Sequence, residues 1–275
     1  MSRTAAVDRE LLPRRTALRR NLVSRQRLIQ ISFILLVLVG WQLLGDHEGD
    51  FFLAPPTSVF RAAVDLLPTS AFWSTLGVTA KGIALGFVIA AVLGVLLGIL
   101  MGTYRSVATA LNPIVSAGYV IPEAAIVPLL IVWFGLGNTP RVIAVVLFSI
   151  FEIIVTTYTG VRNSDAMLND VVRSFGATPR QLFVKVTMPG ALPFIFAGLR
   201  IGAARAVKGM VVAELLFAAT GIGGAIQLSA NAFRTDRVMF YVVVVTVIGV
   251  SFSSAVQLIE RLWMRRWHES YRQQA

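Results

Sequence analysis

Residues 76–101 read LGVTAKGIALGFVIAAVLGVLLGILM, and this stretch decides the fold. Its 26 positions hold one charged residue, Lys81, and they are long enough to cross a hydrocarbon core of about 30 Å as an α-helix. Small residues recur in and just after it at every fourth position, namely Gly82, Gly86, Ala90, Gly94, Gly98 and Gly102. We predict a close helix–helix contact along this strip, although glycine is also simply frequent in membrane helices.

The rest of the chain has the same apolar character. Of its 275 residues 56% are hydrophobic and 14% are charged, and the mean hydropathy of +0.74 excludes an ordinary water-soluble domain. The short alternating segments of an outer-membrane barrel are missing. We therefore predict an all-α polytopic membrane protein with six spans, near residues 28–45, 76–101, 107–134, 142–161, 192–217 and 238–259.

Several kinds of chemistry are excluded by what the sequence lacks. It has no cysteine and only two histidines, His47 and His268, so thiolate or histidine metal sites and cysteine nucleophiles are not expected. None of its lysines is followed by Ser or Thr, as a nucleotide-binding phosphate loop requires. We expect a chain that is not an enzyme, binds no cofactor of its own, and uses ATP only through another polypeptide.

The basic residues set the orientation and do not form a nucleic-acid surface. The net charge of +11 arises mainly in the flanks between apolar blocks. We therefore expect the chain to be surrounded by a lipid bilayer and to bind no nucleic acid. Residues 1–27 form an arginine-rich arm before an apolar run that is typical of a signal anchor. Residues 28–275 are predicted to be one transmembrane domain. The positive-inside rule places both termini and loop 163–193 in the cytoplasm.

The third predicted span carries three prolines within one crossing, Pro113, Pro122 and Pro128. Proline removes a helical hydrogen bond, and the bilayer tolerates this only where the freed backbone faces protein or water. We predict a kinked or broken helix that borders a pathway.

Residues 163–193, here named the coupling loop, are too polar to cross the membrane and have helical periodicity. We predict two short helices separated by Gly176, with Thr178 and Pro179 starting the second. Pro189 and Pro193 are predicted to mark the return to the membrane. Such an amphipathic elbow could lie in the lipid headgroups or dock a soluble partner, and its composition alone leaves both open.

The coupling loop resembles a cytoplasmic loop of the membrane permeases of bacterial ABC importers. The similar residues are Asp170-Val171-Val172-Arg173-Ser174-Phe175-Gly176-Ala177, then Phe183, Val186, Pro189, Pro193, Gly198, Leu199 and Arg200. The likeness covers nearly the whole chain and is greatest for the nitrate, sulfonate and taurine branch. Further matching stretches are Leu53-Ala54-Pro55-Pro56, Trp133-Phe134-Gly135-Leu136-Gly137, Gly160-Val161-Arg162, Ala213-Glu214-Leu215 and Gly221-Ile222-Gly223. The chain departs from the family where Asp170-Val171-Val172 replaces Glu-Ala-Ala.

This resemblance implies a type I importer permease with the MetI-like fold in the bacterial inner membrane. It implies two ATPase subunits that hold ATP and Mg, a substrate-binding protein, and a second permease copy in a homodimer. The solute would be a sulfonate, nitrate, taurine or a similar small ion. The residues implied to dock the ATPase are Asp170, Val171, Val172, Arg173, Phe175, Gly176, Ala177, Pro179, Phe183 and Pro189.

Charges within predicted spans are the candidates for the translocation path: Glu123, Glu152, Lys208 and Glu214. A charge that faces lipid at a helix centre costs about 2.5–3.5 kcal/mol, so these side chains should face protein or water. We hypothesise that Glu123 pairs with Lys208, and we expect Lys81, Arg200 and Arg205 to reach the span ends by snorkelling. For Glu214 a hydrogen-bonding role and a gate role stay open. The alternative function is an ion-driven secondary transporter with Glu123 or Glu152 as its ion site.

Overall fold

The computed structural model describes residues 27–49, 51–163, 172, 174–217 and 220–272, with side chains as far as Trp263. Every element in these ranges is helical, which confirms the predicted all-α class. The helices are α1 (Arg27–Glu48), α2 (Pro56–Leu66), α3 (Ser70–Thr103), α4 (Arg105–Val120), α5 (Glu123–Phe134), α6 (Asn138–Arg162), α7 (Pro179–Leu182), α8 (Met188–Phe217), α9 (Gly221–Asn231) and α10 (Thr235–Arg272), with a π-helical turn at Phe183–Thr187 between α7 and α8.

The spans agree in number with the six that the sequence predicts. Five helical segments in the described ranges are long and apolar enough to cross a membrane, and α4 with α5 makes a sixth if the bent pair counts as one crossing. The helices are longer than the predicted spans, because the apolar core of each continues into polar turns at both ends. Helix α3, for example, begins at Ser70 and ends at Thr103, whereas the predicted span covers residues 76–101.

The small-residue strip of α3 makes a close helix–helix contact, as predicted. It lies against α6, where a β-carbon added at Gly98 would come within 2.6 Å of the Thr157 β-carbon. The same addition at Gly86 would meet Val145 at 2.6 Å, and at Gly94 it would meet Ile153 at 2.9 Å. Backbones therefore approach more closely here than any residue with a side chain would allow.

The break in the third span is also confirmed. Helices α4 and α5 are bent by 100° relative to each other. Ile121 is extended, with φ −61° and ψ 131°, because the ring of Pro122 disfavours the helical region for the residue before it. The break brings the first residue of α5, Glu123, against α6 and α8 in the middle of the bundle.

The coupling loop differs from its prediction in one respect. The second short helix does not end before the membrane, since α7, the π-helical turn and α8 run on as one 39-residue helical segment. In the π turn the Met188 N–H donates to the Phe183 carbonyl, one residue further back than in an α-helix. The wider turn accommodates Pro189, and Pro193 lies inside α8. Both prolines that we expected to mark the return to the membrane therefore lie within one helical segment. The first short helix falls largely on residues 164–171 and 173, outside the described residues.

Candidate translocation path and coupling loop

A charged cluster lies in the middle of the bundle, where α5, α6 and α8 meet. The guanidinium of Arg205 is 3.1 Å from a carboxylate oxygen of Glu123 and 2.5 Å from one of Glu152. Arg205 is 17 residues after the start of α8 at Met188 and 12 before its end at Phe217. One guanidinium thus serves two carboxylates from two other helices, a geometry that suits its forked donors.

Tyr119 completes this cluster from α4. Its hydroxyl donates to Glu152 at 3.3 Å, and its ring centroid is 6.0 Å from the Arg205 guanidinium carbon. Sequence reasoning missed Tyr119 and assigned Arg205 to a span end. The sequence did contain a signal for Arg205: it lies near the centre of the predicted span 192–217, too far from either end for its side chain to snorkel.

The hypothesis that Glu123 pairs with Lys208 is wrong within this chain. Glu123 pairs with Arg205, and Lys208 makes no ion pair with any acidic residue that the structure describes. Lys208 lies one turn beyond Arg205 and is exposed. The two cations share one side of α8 because residues three and four apart on a helix are neighbours.

That side of α8, consisting of Ile201, Ala204, Arg205 and Lys208, is here named the charged face. Ile201 and the Arg205 side chain are 43% and 36% exposed, and Ala204 and Lys208 are exposed as well. Two cations near the middle of a membrane helix would be costly against lipid. Water-filled space, bordered by the broken α4–α5 segment, is the environment that fits this face.

Glu214 stands apart from the charged face. Its side chain is fully buried, and it accepts hydrogen bonds from the Thr79 hydroxyl at 2.8 Å and from the Gly223 N–H at 2.9 Å. The Thr79 oxygen in turn accepts from the Ile222 N–H at 2.9 Å. Glu214 therefore ties the end of α8 to α3 and to the first turn of α9, and of its two open roles the geometry favours the hydrogen-bonding one.

In the described part of the coupling loop the local geometry follows the sequence prediction. Gly176 has φ +78°, the left-handed conformation that ends a helix. The Thr178 hydroxyl accepts from the Gln181 N–H at 3.3 Å, and the Gln181 side-chain oxygen accepts from the Thr178 N–H at 2.8 Å, which forms a capping box. Pro179 occupies the first helical position, where its missing N–H costs nothing.

The loop carries an open depression and one prominent aromatic side chain. Phe175 is 87% exposed. The depression has a volume of about 390 Å³ and is lined by Val172, Phe175, Gly176, Ala177, Gln181 and Lys185. Of the residues implied to dock an ATPase, Phe183 and Pro189 are partly buried where the loop joins α8. Asp170, Val171 and Arg173 lie outside the described residues.

Comparisons with known proteins agree with this architecture. Residues 94–266 match the family described as "Binding-protein-dependent transport system inner membrane component". The chain is 34% identical over 239 residues to the riboflavin transport system permease protein of Chloroflexus aurantiacus, covering 86% of this chain and 89% of that protein. It is 28% identical over 253 residues to the taurine transport system permease protein of Escherichia coli, covering 90% and 92%.

A solved structure shares the fold. The crystal structure of an amino acid ABC transporter with histidines superposes with a TM-score of 0.61 at 19% identity, over 74% of this chain and 97% of that chain. The resemblance that the sequence suggested is thereby confirmed, and the chain is a transport subunit, not itself an enzyme. With its apolar helices, its broken third span and its coupling loop, the chain belongs to the family of inner-membrane components of binding-protein-dependent transport systems, as a multi-pass permease of an ABC importer.

Proposed function

We propose that the charged face of α8 lines the translocation path and that a second copy of the chain completes this path. The supporting observation is the position of Arg205 and Lys208 on an exposed helix face at mid-bundle, opposite Glu123, Glu152 and Tyr119. Charges of both signs at one depth suit an aqueous route and not a lipid contact. One chain supplies one such face, so a two-fold arrangement would enclose the path.

The solute that we propose is a small ion of the sulfonate, nitrate or taurine kind. Two carboxylates and two cations give the path a balance of charge, which suits an anion or a zwitterion that can contact Lys208 without displacing the Arg205 ion pairs. The taurine permease relative supports this class, whereas the riboflavin relative points to a larger heteroaromatic solute. ATP-driven uptake of taurine, nitrate and riboflavin by the complete transporter would separate them.

The coupling loop is proposed to dock one ATPase subunit on each permease copy. Exposed Phe175 and the depression beside Gly176 offer an apolar site for a partner side chain. ATP and Mg would be held by the ATPase, and a loaded binding protein would meet the opposite end of the bundle. Both termini would then be cytoplasmic, with residues 1–27 as a basic arm and 28–275 as the permease domain. Because α7 continues into α8, a movement of the loop would be transmitted directly to the charged face.

The alternative of an ion-gradient-driven transporter requires a carboxylate that can bind and release an ion. Both candidates, Glu123 and Glu152, are already engaged by Arg205. An ion would have to displace a guanidinium from each of them, so the ATP-driven function is the one that the geometry favours.

Cysteine labelling tests the proposed path, because the natural chain has no cysteine and any introduced thiol is the only one present. Ala204→Cys places a thiol next to Arg205 and one helical turn before Lys208. Val247→Cys places one on α10 at a side chain that is 58% exposed and has apolar neighbours. A thiol in water ionises and reacts, whereas one in lipid does not. A charged methanethiosulfonate should label Ala204→Cys about tenfold faster or more. Equal rates would show that the charged face is not in water.

A further inference from the structure

A second cationic site lies at the end of the bundle opposite the coupling loop. A cavity of about 390 Å³ opens between α3, the first turn of α6, the last third of α8 at Met210, and Thr220. Lys81 and Arg141 both line it. Neither residue belongs to the charged face of α8 or to the coupling loop.

Arg141 is the less usual of the two cations because it is buried, with 7% of its surface exposed. Its guanidinium donates to three neutral oxygens: the Gly137 carbonyl at 2.9 Å, the Asn138 side chain at 2.7 Å and the Thr220 hydroxyl at 2.5 Å. A guanidinium has five N–H groups, so two of them stay available. No carboxylate among the described residues lies within 4.0 Å of Arg141 or of Lys81.

A buried cation without a counter-ion is costly, and proteins normally pair it. Among the described residues, the Glu214 carboxylate is near enough to attract Arg141 electrostatically. It does not contact the guanidinium, and it accepts hydrogen bonds from Thr79 and Gly223. The first turn of α6 adds to the positive character of the site, because its N-terminus has no side-chain cap. One Glu214 charge does not balance two cations, and an anion in the cavity would supply the direct contact that no described carboxylate makes with Arg141 or Lys81.

The side chains that line the cavity favour one class of anion. Arg141 offers a fork of N–H groups and Lys81 offers an ammonium, which together match the several oxygens of a tetrahedral oxyanion. Leu85 and Met210 give the same cavity an apolar wall. A phosphate or sulfonate group that carries an alkyl chain would satisfy both parts.

We propose that the Lys81–Arg141 cavity is a binding site for an oxyanion group of the phosphate or sulfonate type. Two sources share this chemistry: the headgroup of an anionic phospholipid and a free small anion. In either case bound anion would hold α3, α6 and the segment before α9 together at this end of the bundle.

The test is a titration of the full-length chain in a nonionic detergent, with chloride as the only other anion. The probes are dihexanoylphosphatidylglycerol for the lipid source and inorganic phosphate for the free anion, and the readout is the rise in Tm with concentration. A saturable rise with at least one probe is expected. Lys81→Gln should raise the apparent Kd about tenfold, which corresponds to the loss of one charge-assisted hydrogen bond.

Two further variants make the outcome specific. Arg61→Gln removes one exposed positive charge on α2 and should leave the apparent Kd unchanged. Val78→Glu places a carboxylate in the cavity lining, so it should abolish the saturable rise by supplying the counter-ion internally. A response to the phospholipid alone assigns the site to lipid, and a response to phosphate alone assigns it to a free anion. The absence of saturable binding, or equal binding by wild type and Lys81→Gln, would overturn the proposal.

Discussion

The guanidinium of Arg205 on α8 lies 2.5 Å from the carboxylate of Glu152 on α6, at the middle of both helices. A second contact, 3.1 Å long, joins the same guanidinium to Glu123 at the break between α4 and α5. One side chain thus joins α8 to two other helices, α5 and α6, beside the charged face. Arg205 therefore stabilises the packing of these helices, and in our proposal its side chain also lines the translocation path.

Replacing this cation should destabilise the fold. Arg205→Gln leaves two carboxylates unpaired, 20% and 12% exposed. Breaking a fully buried ion pair costs about 3–5 kcal/mol, and we expect about 1–3 kcal/mol here because Arg205 itself is partly exposed. Unfolding by titration with sodium dodecyl sulfate measures the change.

Lys208→Gln is the matched control, since it removes the same charge from the same helix face three residues later. It should change the unfolding free energy by less than about 0.5 kcal/mol, because Lys208 has no ion pair among the described residues. If Lys208→Gln is as destabilising as Arg205→Gln, the described pairing is not what holds these helices together.

The glycine strip predicts a steric effect that depends on position along α3. In Gly98→Ala the new methyl group would lie 2.9 Å from the Ile154 carbonyl oxygen, which cannot turn away as a side chain can. Overpacking of this kind costs about 1–3 kcal/mol. Gly77→Ala on the same helix meets nothing within 4 Å, and it should be neutral or stabilising by up to about 1 kcal/mol. Equal Tm values for the two variants would contradict the close α3–α6 approach.

Gly221 is expected to be intolerant of substitution for two separable reasons. Its φ of +81° is left-handed, and a β-carbon there would overlap the Glu214 carboxylate. Gly135, with φ +72° and open space around it, shares only the first reason. Gly135 also has ψ −171°, a backbone region that is essentially restricted to glycine, so we expect Gly135→Ala to cost about 1–3 kcal/mol and Gly221→Ala to cost clearly more in the same unfolding assay. Similar costs would mean that Glu214 has room to move.

Docking of the ATPase should depend on the shape of the coupling loop. Gly176→Asp strains a residue with φ +78° and adds a charge beside Phe175, so co-purification of a protein with a nucleotide-binding phosphate loop should be lost. Gly135→Asp makes the same change at a left-handed glycine next to the start of α6, at the opposite end of the bundle. If both variants retain the ATPase, the coupling loop is not the docking site.

The features predicted from the sequence are those that depend on local periodicity. Small residues at every fourth position lie on one face of a helix, so the strip from Gly82 to Gly102 indicated a contact before its partner α6 was known. Pro113, Pro122 and Pro128 together predicted a kink or a break, because proline acts on the backbone around it, and the break lies at Pro122. Gly176 and Thr178 predicted the end of one helix and the cap of the next for the same reason.

The features that the sequence did not predict depend on how helices are placed against one another. Arg205 and Lys208 lie on one face, and only the position of α5 and α6 decides that Arg205 reaches Glu123. The surroundings of Arg141 depend on Thr220, a hydrogen-bond partner 79 residues away in sequence. The continuity of α7 with α8 depends on the π turn at Phe183–Thr187, which no local pattern indicated.

The most direct test of the account is whether ATP changes the access of water to the charged face through the coupling loop. The complete transporter carrying Ala204→Cys, with a hydrolysis-deficient ATPase, is placed in vesicles that enclose ATP, and a charged thiol reagent is added outside. We predict that enclosed ATP raises the labelling rate several-fold and that Gly176→Asp removes this increase. If the labelling rate is the same with and without ATP, or if ATP raises it equally in the Gly176→Asp variant, the proposal that this loop couples the ATPase to the path is contradicted.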